Sequence, residues 1–380
     1  MGQKKKILIR IGSLRHGGAE KVLVTFLKNL SPEKYEIDLL LNLYSGKYLK
    51  DVPSWITIYY LNKGEMITTN RLQDIPQKAY RVIYQAILKE FPKLLYTYIL
   101  PNKTYDIEFA AIHGMADEIL NSPIKSSKKI VWIHNDLSNI PAYTDERLKS
   151  FFKFDQILVI SEKINRLFLD LATTEAEKKK VVRIYNPIDV HEIKSLAAEK
   201  CDIKKAENQP TFVSIGTVFP QKGFDRLLRA HKRLLDEGFP HQVWIVGDGY
   251  DFPTIKKLVD DLKVNDTAHL IGFKENPYPY FVLADYYILS SRYEGYPTVL
   301  FEAMVLEKPI IATDVSGVRE MLNDGELGYI IKNEEEAIYE GMKYFIQHPE
   351  IADNYQQIIA SKSLPFQLDN AVHSIEKYLN

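Results

Sequence analysis

Short apolar runs alternate with amphipathic stretches along this chain, and the alternation runs twice. The first run, KKILIRIGSL, ends in glycine and reads as a buried strand. GGAEKVLVTFLKNL follows with apolar residues at helical spacing, and YEIDLLLNLY is a second strand. DIEFAAIH, KKIVWIHN, DQILVIS and VVRIYNPID continue the pattern. The scheme then starts afresh. PTFVSIGTV, HQVWIVGDG, AHLIGF, YYILSS and KPIIATD read as strands, with GFDRLLRAHKRLLDEG and YDFPTIKKLVDDLK among the helices between them. Strands interleaved with helices bury their apolar faces as a parallel sheet covered on both sides. The expected fold class is therefore α/β, with two doubly wound domains. Asn186-Pro187 ends a strand, and a polar stretch precedes the next one. That places the domains at 1–188 and 189–363. After a break at Pro365, an amphipathic helix is expected within 364–380.

Composition narrows the class. Hydrophobic content of 46% and charged content of 26% are those of a globular protein and exclude disordered and collagen-like chains. The single cysteine, Cys201, excludes a disulfide framework and fits a reducing compartment. No window approaches the ~20 apolar residues needed to span a bilayer. The apolar run at the N-terminus is broken by Arg10 and lacks a small-residue cleavage site, so it reads as a strand rather than a signal peptide. A cytoplasmic protein is expected, and no nucleic-acid partner. Charge is divided unevenly. Residues 1–190 hold 29 Lys and Arg against 21 Asp and Glu, leaving the rest of the chain acidic. Such a split suits a first half that meets an anionic surface.

The stretch SRYEGYPTVLFEAM holds two glutamates, Glu294 and Glu302, on either side of a Gly-x-Pro turn. YYILSS ends a parallel strand, and ligands of open α/β sheets bind outside the carboxyl ends of strands. SRYEG is then the loop at that end, which puts Glu294 at the ligand. Pro297 suits the first helical position, leaving the amides of Thr298 and Val299 free to donate. Free amides at a helix start take an anion, usually phosphate. Glu302 lies one turn on, along the same helix face. A carboxylate so near a phosphate needs hydroxyl partners, and a ribose diol supplies two. The helix start would thus hold a diphosphate, Glu302 the ribose, and Glu294 a hydroxyl of the group attached on the other side.

The block SRYEGYPTVLFEAMVLEKPIIATDVSGVREML resembles the E-x7-E signature of retaining glycosyltransferases, specifically glycosyltransferase family 4, of the bacterial surface-polysaccharide type. The resemblance extends over nearly the whole chain. It implies the GT-B architecture: two Rossmann-like domains facing across a cleft, an acceptor-binding domain at 1–188, a nucleotide-sugar-binding domain at 189–363, and a C-terminal helix that crosses back. Gly295 and Tyr296 belong to the donor-binding block with Glu294, Thr298, Val299 and Glu302.

Other positions follow from the residues and the resemblance together. In SIGTVFPQKGFDRLL, Lys222 before Gly223 can neutralise a departing diphosphate, where charge develops during glycosyl transfer. The family usually carries an arginine after the glycine of this loop. Here Thr217 follows Gly216, so half of the expected cationic clamp is missing. Gly17-Gly18 after the first strand is not G-x-G-x-x-G, which argues against a nicotinamide cofactor. The family sets a similar loop against the donor diphosphate. His134, ending VWIHND, would contact the donor sugar by the same resemblance, while His113 reads as structural. Glu320 reads as fixing a turn. Ile271 and Phe273 would flank the base. No Asp-x-Asp and no zinc-type ligand cluster occurs, so no metal and no cofactor is expected.

Residues 75–104 combine Lys78, Arg81, Lys89, Lys93 and Lys103 with many apolar residues against one anion, Glu90. Such a segment either lies on anionic lipid or packs as a helix pair with lysines reaching out to water. The sequence reads as a metal-independent hexosyltransferase. A UDP-sugar is the favoured donor and a GDP-sugar the other choice. The acceptor is a glycan or lipid-linked, and the protein is cytoplasmic and peripheral on the membrane. Glu294, His134 and Lys222 are the expected catalytic residues. Two alternatives stay open: a non-hydrolysing sugar-nucleotide epimerase, and a non-catalytic donor-binding partner subunit, which the substitution at Thr217 would favour.

Overall fold

A computed structural model describes residues 3–15, 17–64, 75–101, 103–362 and 368–379. Asn102 and residues 364–367 of the segments discussed above lie outside the described residues. The chain forms two compact units. One comprises Met1–Ile188 with Phe366–Asn380, the other Asp189–Pro365.

The first unit is built on seven parallel strands: β1 (Lys5–Ile11), β2 (Tyr35–Tyr44), β3 (Thr57–Lys63), β4 (Ile107–Ala110), β5 (Lys128–Ile133), β6 (Gln156–Val159) and β7 (Val181–Arg183). Their order is β3-β2-β1-β4-β5-β6-β7. The second unit has six: β8 (Thr211–Ile215), β9 (Gln242–Val246), β10 (Ala268–Gly272), β11 (Tyr286–Leu289), β12 (Ile310–Thr313) and β13 (Tyr329–Ile331), in the order β10-β9-β8-β11-β12-β13. Both sheets are doubly wound and Rossmann-like, and in both the strand order reverses beside the first strand. The expected fold class is thus found. The strands that the sequence pattern missed, β3 and β13, are both sheet edges with a single neighbour each.

Near-continuous apolar strands explain the cores. Ile7, Leu8, Ile9, Leu39, Leu40 and Leu41 are fully buried, as are Phe212, Val213, Val243 and Trp244 in the second unit. That is the pattern of strands covered on both faces. The helix Leu368–Glu376 belongs to the first unit. Ile375 and Leu379 are fully buried there, Tyr35 Oη donates to Glu376 Oε1 at 3.1 Å, and Lys128 Nζ donates to the Tyr378 carbonyl at 2.7 Å.

The second core holds a polar chain. His241 Nδ1 lies 2.8 Å from the Phe239 carbonyl, which can only accept. Nδ1 therefore carries the proton, and Nε2 of His241 accepts from His231 Nδ1 at 2.7 Å. His231 Nε2 in turn accepts from Thr267 Oγ1 at 2.9 Å. Both histidines are fully buried and neutral. Burial, with His241 and His269 nearby, pushes His231 down to about 2.

In the first unit, α1 (Gly18–Lys28) packs on the sheet, as expected. Residues 75–98 form two helices, α2 (Ile75–Glu90) and α3 (Pro92–Tyr98). Across its 16 residues α2 buries Leu88 alone, while Ile75, Tyr80, Val82, Ile83 and Ile87 stand exposed. Phe91, Leu94 and Tyr98 continue that exposed apolar surface. The short helix α4 (Ala116–Leu120) follows β4.

Candidate active site

The carboxyl ends of β8 and β11 carry most of the residues of the second unit singled out by sequence. After β8 the chain passes through Gly216 and Thr217 into a short turn, Pro220–Lys222. Gly216 N–H still pairs with the Val246 carbonyl at 3.0 Å. Gly247, at φ +151°, lies so close that a Cβ there would come within 1.9 Å of the Gly216 carbonyl oxygen. Gly223 ends the turn in the left-handed region at φ +65°, where a Cβ would meet the Ser290 carbonyl oxygen at 2.2 Å. Ser290 Oγ donates to the Lys222 carbonyl at 2.8 Å. The lysine loop and the end of β11 are thereby locked together.

Lys222 then runs across Gly216, where a Cβ would stand 3.1 Å from the lysine Cε. Its Nζ lies 2.7 Å from Glu294 Oε1, with the two side chains 19% and 8% exposed. Ser291 Oγ donates to the same oxygen at 2.6 Å. The sequence placed Lys222 and Glu294 at separate tasks, and the structure joins them as an ion pair. Such a pair holds a carboxylate at a fixed position and orientation, provided neither partner is removed.

The loop is fixed from behind by residues that the sequence analysis passed over. Arg292 grips Asp225 through two parallel bonds of 2.7 Å, and Arg229 also donates to Asp225 at 2.8 Å. The two arginines overcome burial and hold the Asp225 carboxyl down at about 2. Buried Arg226 donates to the Ser290 carbonyl at 2.7 Å. The available signal was the Asp-Arg pair at the start of the helix Phe224–Asp236, immediately after Lys222-Gly223. Ser291 could have been found only from its hydrogen bond.

The helix after Glu294 spans Val299–Val305. Thr298 is its cap, with helical dihedrals, and Pro297 precedes the cap instead of taking the first helical position. The Pro297 carbonyl accepts from Leu300 N–H at 2.9 Å, so the turn tightens before the helix begins. Among the described residues, no acceptor meets the amides of Thr298 and Val299. Glu302 is half-buried, and Tyr278 Oη donates to its Oε1 at 3.3 Å. Fully buried Tyr287 lies near both Glu294 and Glu302, and burial together with these carboxylates raises its phenol far above the usual range. Its hydroxyl has no hydrogen-bond partner among the described residues.

Two members of the block have other surroundings than expected. The Tyr296 ring is buried against Phe301, 5.4 Å between centroids, under the loop at Gly317. A ligand contact at Tyr296 therefore falls to its backbone. Ile271 ends β10 beside Gly272, and Phe273 follows, 46% exposed, at the edge of the sheet away from β11. Gly295 continues the loop between Glu294 and Tyr296. Glu320 sits in the short helix Val318–Met321.

In the first unit, Gly17 caps α1 in an extended conformation and Gly18 begins the helix. A Cβ at Gly17 would fall 2.0 Å from Glu20 Oε2, the end of a flexible side chain folded back over the helix start. His134 follows β5 and is 7% exposed, with its ring 4.5 Å from that of Trp132. Its Nε2 is buried and without a partner among the described residues. With the ring proton on Nδ1, Nε2 is an acceptor. Burial pushes the imidazole down to about 3, with His113 nearby adding to the effect. His134 can orient a hydroxyl by accepting from it. His113 is held low by burial and packs edge-on against Tyr143.

Among the described residues, no group of three or more His, Cys, Asp or Glu side chains is assembled to hold a metal. No described helix is long and apolar enough to cross a membrane.

Residues 197–361 match the family model of glycosyl transferases group 1. The chain is 23% identical, over 99% of its length and 99% of the relative's, to a Campylobacter jejuni N-acetylgalactosamine-N,N'-diacetylbacillosaminyl-diphospho-undecaprenol 4-alpha-N-acetylgalactosaminyltransferase. An uncharacterized glycosyltransferase of Haemophilus influenzae is 26% identical over 90% of both chains. Among solved structures, Anabaena HepE in complex with UDP-glucose is similar with a TM-score of 0.70 at 17% identity, covering 98% of this chain and 99% of its own. That likeness shows the fold, which is GT-B. The segment that matches the group 1 glycosyl transferases, residues 197–361, contains the E-x7-E block that carries the family resemblance.

Proposed function

We propose that this chain is a retaining glycosyltransferase that moves a hexose-type sugar from a nucleotide-diphosphate sugar to a glycan or lipid-linked acceptor in surface-polysaccharide or glycoconjugate assembly. The observation that carries the reading is the fixed carboxylate of Glu294, held by Lys222 and Ser291 one turn before the amides of Thr298 and Val299. UDP is favoured as the nucleotide over GDP. The UDP-glucose bound by HepE and the sugar transferase named in Campylobacter jejuni support donor and pathway.

In this reading the acceptor oxygen attacks the anomeric carbon on the face from which the diphosphate leaves. The bond from that carbon to the diphosphate oxygen breaks, and its electron pair stays on the oxygen. Lys222 and the amides of Thr298 and Val299 stabilise the developing charge. The acceptor proton passes to the departing oxygen. Glu294 and the Nε2 acceptor of His134 orient sugar hydroxyls, and Glu302 takes the ribose. Glu294 needs no metal for its placement, because Lys222 already supplies the neighbouring cation. Gly17, Gly18, Gly216 and Thr217 lie against the diphosphate, and Ile271 and Phe273 flank the base.

The first unit would sit on anionic lipid through residues 75–104. The support is an apolar surface from Ile75 to Tyr98 beside Lys78 and Lys93. Three of the expected cations have other work, since Lys89 pairs with Asp117 at 3.0 Å, Lys103 pairs with Asp38 at 3.1 Å, and Arg81 donates to the Lys63 carbonyl.

Purified protein incubated with UDP- and GDP-sugars tests the reading. Slow release of free sugar with its anomeric configuration unchanged, read by proton NMR and undiminished by EDTA, is the expected result. Inverted product, a metal requirement, or absence of donor turnover and binding would overturn it.

A further inference from the structure

A polar cavity lies within the first unit, and of the residues named in the transfer reaction none lines it. Its volume is about 140 Å³, several times the ~30 Å³ share of one water. Arg10, Asn42, Gln85, Lys89 and Glu118 supply its polar wall, with Leu61 and Leu95 among the apolar lining. Arg10, Asn42 and Leu61 occupy the last three positions of β1, β2 and β3, the carboxyl ends where open sheets bind ligands. Gln85 and Lys89 come from α2, and Glu118 from α4.

Arg10 is 3% exposed, yet its described hydrogen bonding is one long contact, Nη2 to Asn42 Oδ1 at 3.3 Å. Its Nε has no acceptor among the described residues. Glu118 Oε2 is buried and equally without a donor. The two charges attract each other across the cavity but form no ion pair among the described residues. A guanidinium has five N–H donors, and leaving them unmet in a buried place is costly. The chemistry missing from this wall is therefore a group that accepts from Arg10 and donates to Glu118 at once.

Charge decides what kind of group that is. Arg10 faces Glu118, while Lys89 and Arg147 share Asp117. An anion drawn to Arg10 would meet the donor-less carboxylate of Glu118, and a cation drawn to Glu118 would meet the guanidinium. A neutral group with adjacent hydroxyls meets both needs, since each hydroxyl donates and accepts. The leucines suit the C–H face of a sugar ring.

We propose that this cavity is a subsite for a neutral sugar unit of the acceptor, with Arg10 donating to one hydroxyl and Glu118 accepting from its neighbour. Asn42 and Gln85 complete the polar rim, and Leu61 and Leu95 carry the ring. The assignment rests on the transferase reading above and adds the acceptor's chemistry at a named place.

The test uses the full chain, with methyl α-D-glucopyranoside and methyl N-acetyl-α-D-galactosaminide as probes in saturation-transfer NMR. At least one glycoside should bind the parent protein. Glu118→Gln removes the acceptor charge, and Gln85→Trp fills the mouth from a partly exposed helix position. Each should weaken the glycoside by about tenfold or more. UDP affinity, measured by calorimetry on the same samples, should stay within about twofold, because the variants lie outside the unit that holds Glu294. Failure of both glycosides to bind the parent overturns the subsite. So does binding indifferent to both variants, or displacement of a bound glycoside by inorganic phosphate. Failure of the parent to bind UDP would count against the transferase reading instead.

Discussion

Lys222→Met tests whether the ion pair with Glu294 is a structural clamp as well as a ligand site. Methionine keeps the length of the side chain over Gly216 and removes its charge. Glu294, 8% exposed, would then face the protein without a cation. Removing one partner of a fully buried pair costs ~3–5 kcal/mol. Here Lys222 keeps 19% of its side chain exposed and Ser291 still donates to Glu294, so about 2–3 kcal/mol is the expected cost. In a unit of this size that is roughly 4–10 °C in unfolding temperature. Glu294→Gln added to Lys222→Met makes the carboxylate neutral and should recover most of that loss. UDP binding should remain weak in both variants, because neither restores the cation. Calorimetric melting gives the stability terms and UDP titration the affinities. Lys222→Met melting within about 1 °C of the parent would refute the clamp. So would further destabilisation on adding Glu294→Gln.

Acid should loosen the second unit before carboxylates titrate. Burial disfavours the charged form of His231 and His241, so in the native state both stay neutral while the unfolded chain takes up protons below about pH 6.5. Unfolding free energy should thus fall as pH drops, by up to ~1.4 kcal/mol per pH unit per histidine, and urea titrations giving equal stability near pH 7 and near pH 5 would contradict this. Gly247→Ala should cost well over ~2 kcal/mol, since strain at φ +151° adds to a backbone clash, whereas Gly238→Ala, at φ +84° in open space, should cost about 1. Chemical denaturation of both variants checks that difference, and similar losses would mean the Gly216–Gly247 approach relaxes freely. On the first unit, Ile83→Ser with Ile87→Ser should abolish flotation with anionic vesicles, and added salt should weaken it in the parent. Flotation that survives the double variant would remove α2 as the contact.

Legibility followed burial. Strand β2 matches the run YEIDLLLNLY residue for residue, because its centre, Leu39 to Leu41, is buried and apolar without a break. Strand β3, TIYYLNK, lies at a sheet edge, where its apolar side chains stay at least partly exposed and Asn62 is the buried residue, so no apolar run marks it. Strand β13 has three residues and one neighbour. At the site, the order of strand, loop, glutamate and helix could be read because each is local. The bond between Lys222 and Glu294 could not, since 72 residues separate them and both residue types are ordinarily solvated. Residues 75–104 admitted a packed helix pair or a lipid-facing one. A pair is present, with Leu88 and Leu95 packed inward but Ile75, Tyr80, Val82, Ile83, Ile87 and Tyr98 exposed, which periodicity alone does not decide because an amphipathic face carries no sign of what covers it.

The return of the helix Leu368–Glu376 to the first unit also bears on how this chain is made. The second unit is an insertion in the sequence of the first, and it is complete as soon as its own continuous segment has been synthesised. The first unit is not. Tyr35 waits for Glu376 and Lys128 for Tyr378, across 341 and 250 residues. During synthesis the sheet that emerges first therefore matures last, with the bed of Ile375 and Leu379 uncovered in the meantime. A chain cut short after residue 362 would keep a finished second unit beside an unsealed first one. Quality control of such truncated product would then act on the half made earlier, because that half depends on the helix Leu368–Glu376.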